Sequence, residues 1–312
     1  MNDRLSIYRM NKHIWWVLII GLGLACPGWA AEEKVVFEAT SPYHYIQVVD
    51  RGRMRVLHFD NATESRMSLD DPMQGHFEYT EYFHMPWLWN DRIKSVLMIG
   101  LGGGSIQRAY QHYYPQVQCQ TVELDPKVEE VARDYFQVKE SETLKIVIED
   151  GRVHLRRTQA KYDVIILDAY TANRYGSYIP YSLATKEFFA LAKEHLTENG
   201  VLAYNVIGDV DGRREDIVGA MYQTLKACFP QVYMFPAASS RNVVLVATKS
   251  SDAMTLAQLD RRADDLIESK RTTFPNLKTR LESLRASPPL NAANSRVMTD
   301  DFSPVDGLLK AE

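Results

Sequence analysis

Residues 95–105, S-V-L-M-I-G-L-G-G-G-S, constrain the fold more than any other stretch of the chain. Residues 96–99 are an apolar run of strand length. Gly100, Gly102, Gly103 and Gly104 follow at once, so the segment reads as a buried strand, a tight glycine turn and a helix start. Glycines at such a turn let the backbone approach a ligand with no Cβ in between, and the helix behind them offers free N–H groups. A second strand follows at residues 119–125. Its Glu123 lies about twenty residues past the glycines, where nucleotide-binding α/β folds place a carboxylate on ribose hydroxyls. Together these features describe a nucleoside site. The turn lacks the last glycine of a G-x-G-x-x-G dinucleotide fingerprint, which weighs against a nicotinamide. The plainer alternative is a turn that only lets a helix pack on a strand.

More strands and helices alternate beyond this point. A helix is expected over 126–136, with Val128, Val131, Ala132 and Tyr135 on one face, then strands at 144–148 and 162–167. A helix over 186–196 stopped by Asn199-Gly200, a strand from Gly200 to Val206, and an antiparallel pair at 232–235 and 242–247 complete the pattern. Such alternation predicts an α/β fold with a doubly wound, mostly parallel sheet and helices on both faces. Ligands in these sheets lie beyond the carboxyl ends of the strands, where Gly100, Gly102, Gly104, Glu123, Asp150 and Asp168 fall. The polar, aromatic residues 170–180 read as a lid over that cleft. Ahead of the sheet, residues 35–59 alternate apolar and polar around Gly52 and predict a small β-hairpin domain; residues 77–89 are expected as a linking helix. A capping box, T-L-A-Q from Thr255, opens a helix with Leu256, Leu259, Ala263, Leu266 and Ile267 inward, and an irregular tail follows. The expected organisation is a leader at 1–30, a small β domain with its linking helix at 31–90, a nucleoside-binding domain at 91–250 and a C-terminal helix and tail at 251–312.

The leader is a separate object. Lys12 and His13 precede an apolar run over 14–26 and small residues up to Ala30, as in a secretory signal cut after Ala30, which implies export, to a periplasm. The alternatives are an uncleaved anchor or a lipid on Cys26, so a membrane is met only through the N-terminus. The formal charge is −4; the first thirty residues carry a net +2, which leaves −6 for the rest and argues against a nucleic-acid partner. Cys119 and Cys228 have no metal spacing and read as buried thiols, so no metal is expected.

The order and spacing of several motifs resemble spermidine synthase and its relatives. They are S-P-Y at Ser41, the hairpin, F-x-Y-x-E at 77–81, G-L-G-G-G-S, V-E-L-D at 122–125, E-D-G at 149–151 and D-V-I-I-L-D at 163–168, and the likeness spans about residues 41–246. That family consists of aminopropyltransferases on the Rossmann-like class I methyltransferase fold. The resemblance implies decarboxylated S-adenosylmethionine as co-substrate and a small-molecule polyamine amine as acceptor; S-adenosylmethionine itself would serve a methyltransferase on the same fold. It assigns the ribose to Glu123, the adenine amino group to Asp150 and the attacking amine to Asp168, with Tyr170 beside it and Tyr79 and Glu81 as substrate contacts. It leaves room for a homodimer. The chemistry is consistent: a ribose diol suits a bidentate carboxylate, and a carboxylate beside an amine orients it and takes its proton. As structural roles, Asp150 and Asp168 read instead as acidic caps on backbone N–H groups.

Two positions depart from the family pattern. Its glycine loop reads G-G-G-D-G-G, and a gapless match puts Gly103 at the aspartate; its D-S-S-D or D-S-T-D becomes Asp168-Ala169-Tyr170-Thr171, with Thr171 in place of the second acid. Both changes remove carboxylates that hold ammonium groups. The 179–189 segment and the tail T-D-D-F-S-P-V-D are similar to a divergent spermidine-synthase-like branch, some of whose members are joined to membrane transporters. An aminopropyltransferase is therefore the expected function. A methyltransferase using S-adenosylmethionine and a non-catalytic adenosyl-binding or assembly protein are the alternatives.

Overall fold

A computed structural model describes residues 33–173, 176–211 and 216–308. The expected leader and its processing fall outside the described residues. Strands β1 (Glu33–Thr40), β2 (Tyr45–Arg51), β3 (Met54–Phe59) and β4 (Ala62–Ser68) form an antiparallel sheet in sequence order. Gly52 turns β2 into β3 at φ 60, a conformation that costs glycine nothing. The hairpin is thus present, and β4 extends it. The turn between β3 and β4 has Asp60 at φ 53, and aspartate is among the few residues that tolerate the left-handed region. Residues Glu78–Leu88 are helical, but as a long 3-10 helix rather than an α-helix. Pro86 lies inside it and has no N–H for an α-type ladder, and the segment is buried from Tyr79 to Leu88 apart from Glu81.

The central sheet is built from β5 (Ser95–Ile99), α1 (Ser105–Tyr113), β6 (Gln118–Glu123), α2 (Pro126–Tyr135), β7 (Leu144–Ile148), α3 (Gly151–Arg157) and β8 (Tyr162–Leu167). A two-stranded antiparallel ribbon, β9 (Thr171–Asn173) and β10 (Gly176–Tyr178), occupies the stretch expected as a lid. Then come α4 (Lys186–Glu194), β11 (Leu196–Ile207), α5 (Ile217–Lys226), β12 (Gln231–Pro236) and β13 (Asn242–Thr248). The seven strands lie in the order β12-β13-β11-β8-β5-β6-β7; β13 runs antiparallel to both its neighbours and the remaining pairs are parallel. The order reverses at β5, since the chain moves outward through β6 and β7 and returns to β8 on the other side. A crevice at the strand ends is the geometric consequence.

Strand periodicity divides the core into two layers. Val96, Met98, Val164 and Ile166 face α1, α2, the 3-10 helix and the N-terminal sheet, while Leu97, Ile99, Ile165 and Leu167 face α3, α4 and α5. Each fully buried Leu, Ile or Phe here contributes about 1.5–3 kcal/mol relative to exposure. Ile46, Leu57 and Phe59 of the N-terminal sheet join the first layer, so the N-terminal sheet and the seven-stranded sheet belong to one compact unit.

Two local expectations are corrected. The α4 helix ends at Glu194 with His195 as its cap, and Asn199-Gly200 instead lie in β11, where pairing with β8 slips between Leu196 and Val201. Parallel pairing of the apolar residues 201–204 with 164–167 fixes the register, and the polar residues before them bulge outward. The capping box at Thr255 is formed and opens α6 (Leu256–Glu268), yet Leu256 and Ile267 are 54% and 43% exposed; only Leu259, Ala263 and Leu266 of the expected face are buried. A short α7 (Leu277–Leu281) follows, and Cys119 and Cys228 are free thiols. Among the described residues, no helix is long and apolar enough to cross a membrane.

Candidate active site

The ends of β5, β6, β7 and β8 border one cleft of about 950 Å3, its open mouth included. Gly100, Gly102, Glu123, Asp150, Asp168, Tyr170 and Tyr79 all line it, together with Glu64 and Ser65 of β4. Gly100 adopts φ 103, and a Cβ there would meet the Asp168 carbonyl oxygen at 2.4 Å; this glycine lets the ends of β5 and β8 close on each other. Gly104 caps α1 at φ 68, packs on Val138 and is not among the residues lining the cleft. The Gly103 amide donates to Ser65 Oγ at 2.9 Å, and Arg108 donates to the carbonyls of Gly103 and Phe136. The turn's carbonyl is thereby tied down behind it.

Glu123 holds the turn from the other side. Its Oε2 accepts from the Leu101 amide and its Oε1 from the Asp125 amide, both at 2.9 Å. Burial pushes this carboxyl up to about 7, against those backbone bonds, which favour the charged form. Asp150 caps α3, its Oδ1 accepting from the Val153 amide at 2.8 Å, so it serves as a cap and lines the cleft as well. Two residues on, Arg152 is clamped by both carboxylate oxygens of Asp300 at 2.8 and 2.6 Å, and Thr185 donates to the same group. The C-terminal tail thus braces this end of the cleft.

Asp168 lies where β8 ends. Asn205 Nδ2 donates to its Oδ1 at 2.9 Å and the Tyr79 hydroxyl to its Oδ2 at 3.2 Å. Burial raises the carboxyl to about 7, with those two hydrogen bonds pulling down and the charge of Glu64 adding to the rise. Tyr170, expected beside Asp168, lines the cleft, but its hydroxyl donates to the backbone carbonyl of Asn205 at 3.0 Å, and burial holds its proton far above the usual phenol range. Tyr79, not Tyr170, is the tyrosine on the Asp168 carboxylate. Glu81 does not line the cleft. Burial would raise its carboxyl, but His76, Arg280 and Asn276 donate to it and hold it at about 2, in a link between the 3-10 helix and the α7 region, away from the cleft.

Sequence reasoning missed Glu64, Ser65 and Asn205. The first two sit on a strand too polar to be read as one, whereas Asn205 stands near the carboxyl end of β11 and was open to the same strand-end rule that singled out Glu123. His44, stacked on Phe59 at 4.5 Å, also lines the cleft. Among the described residues, no cluster of three or more His, Cys, Asp or Glu side chains is placed to hold a metal ion.

Residues 76–258, more than half of the chain, match the spermine/spermidine synthase domain. The chain belongs to the spermine/spermidine synthase family. A polyamine aminopropyltransferase of Vibrio vulnificus is 30% identical over 298 residues, 92% of this chain and 95% of that protein. Another, of Chromobacterium violaceum, is 32% identical over 224 residues, 71% of this chain and 83% of that protein. Among solved structures, a probable spermidine synthase from Corynebacterium glutamicum superposes with a TM-score of 0.60 at 20% identity, covering 73% of this chain and 87% of its own. Human methyltransferase-like protein 13 superposes at 0.55 and 24% identity over 62% of this chain and 92% of its own, which shows that the two share a fold. Family membership bears out the transferase expected from the motif order and the Rossmann-like sheet expected from the strand pattern.

Proposed function

We propose that this spermidine synthase family member transfers the 3-aminopropyl group of decarboxylated S-adenosylmethionine to a small primary amine. Its named relatives are polyamine aminopropyltransferases. The observation that carries the reading is the Asp168 carboxylate, oriented by Asn205 and Tyr79 and opening on the same cleft as Glu123 and Asp150. Glu123 accepts from the ribose diol and Asp150 from the adenine amino group. The neutral amine attacks the propyl carbon next to the sulfonium: a C–N bond forms, the C–S bond breaks, and its electron pair stays on sulfur as methylthioadenosine. Asp168 takes the proton released by the new ammonium group, and its position near 7 lets it do so at neutral pH.

Export, read from the apolar run over 14–26, belongs to the same proposal. Mass spectrometry of the reaction products tests the chemistry. Methylthioadenosine together with an amine heavier by one aminopropyl group is expected from the decarboxylated donor. A methylated acceptor formed from S-adenosylmethionine, or methylthioadenosine binding with turnover of neither donor, would replace this reading by a methyltransferase or a binding protein.

A further inference from the structure

A recess adjoins the cleft. Glu64, Tyr79 and Tyr170 belong to the walls of both, and Phe77, Asn205 and Asn242 are among the other residues lining the recess, which shares neither Glu123 nor Asp150. Its position follows from Asp168, because both donors to that carboxylate, Tyr79 and Asn205, also wall the recess. An acceptor nitrogen at Asp168 therefore has a second space into which the rest of its chain can run. Three aromatic rings suit a methylene chain there, and the asparagines are neutral. The Phe77 ring already meets one cation, the Arg66 guanidinium 4.6 Å from its centre, although Arg66 is not among the residues that line the recess.

We propose that Glu64 is the specificity residue for the acceptor, taking the second, non-reacting ammonium of a diamine whose first nitrogen reacts at Asp168. The inference rests on the aminopropyl-transfer reading. Gly103 and Thr171 stand where two carboxylates of the family pattern are missing, and Glu64 brings a carboxylate to the same cleft from a different sheet. Its charge is felt at Asp168, Tyr79 and Tyr170, which places it within electrostatic reach of the reacting nitrogen and of the recess walls. A monoamine of equal length forgoes this contact. The predicted preference is therefore for the diamine.

The test compares kcat/KM for 1,4-diaminobutane and 1-aminobutane in the wild type and in Glu64→Gln, with Glu64→Asp as a variant that keeps the charge. The diamine preference should fall at least tenfold in Glu64→Gln and recover in part in Glu64→Asp. An unchanged preference in Glu64→Gln overturns the proposal. Calorimetry with decarboxylated S-adenosylmethionine and methylthioadenosine forms a second arm. If Glu64→Gln weakens the first much more than the second, Glu64 reads the donor's ammonium and the acceptor assignment falls. Should the wild type form no aminopropylated product, aminopropyl transfer fails by itself; diamine against monoamine binding to the methylthioadenosine complex then decides Glu64, and equal selectivity in wild type and Glu64→Gln overturns it.

Discussion

Asn205 Nδ2 donates to Asp168 Oδ1 at 2.9 Å, and the Asn205 amide is itself set by its neighbours. Asn242 Nδ2 donates to Asn205 Oδ1 at 3.0 Å, and Ser240 Oγ donates to Asn242 Oδ1 at 2.7 Å. This relay fixes which end of each amide faces which partner. Removing it by Asn205→Ala takes away a bond that lowers the Asp168 pKa, so the acid limb of the kcat profile should move to higher pH. We expect turnover about tenfold lower near pH 7, recovering in alkaline buffer. A uniform loss across pH would mean that Asn205 only supports the strand.

Asp168→Asn should retain methylthioadenosine binding and lower turnover by about 100-fold or more. Stability should respond in a characteristic direction. Asp168 titrates at about 7 in the folded chain against 3.8 as its ordinary value, so the native state binds the proton more tightly. Its contribution is fully favourable below about pH 4 and is lost as pH rises through 7. The melting temperature of Asp168→Asn should therefore gain on the wild type between pH 5 and pH 8. Scanning calorimetry at the two pH values checks this; a constant difference would count against a raised native pKa.

Glu123→Ala removes the acceptor for a ribose diol and the tie between the Leu101 and Asp125 amides. A loss of about 1.5–3 kcal/mol in methylthioadenosine affinity is expected from the charge-assisted bond alone. Isothermal titration measures it, and unchanged affinity in a folded variant would make Glu123 purely structural.

Gly103→Asp, the change that restores the family's loop acid, should destabilise the protein. A Cβ at Gly103 would lie 2.8 Å from Ser65 Cβ and 3.1 Å from Phe136, so the N-terminal sheet must give way. Thr171→Asp meets no such restraint at a glycine and should lower the KM for a diamine. A lower melting temperature for the first and tighter diamine kinetics for the second are the expected pair. If Gly103→Asp is as stable as the wild type, Ser65 is not the obstacle.

Export is checked by intact mass. Purified from its native source, the mature chain should begin at Ala31; an N-terminus at Met1 in a soluble cytosolic fraction would refute it.

What was legible in the sequence follows from periodicity. Runs such as 96–99 and 164–167 are apolar because both their faces are covered, and the glycines and acids at their ends mark the cleft. Strand β4 was illegible because A-T-E-S-R-M-S buries little beyond Met67 and carries its function in polar side chains. The partners of Glu81 were illegible for the opposite reason: a carboxylate near Tyr79 in sequence meets Arg280, brought in by a helix some two hundred residues later. Tyr170 likewise satisfies a backbone carbonyl that no local pattern announces.

The glycine turn is held at three points before any ligand arrives: Glu123 on the Leu101 amide, Ser65 on the Gly103 amide and Arg108 on the Gly103 carbonyl. Its ordering entropy is thus lost during folding, not on association. Nucleoside capture at such a turn proceeds as docking to a preformed surface, and variants of its three anchors should register mainly as shorter residence times rather than slower arrival.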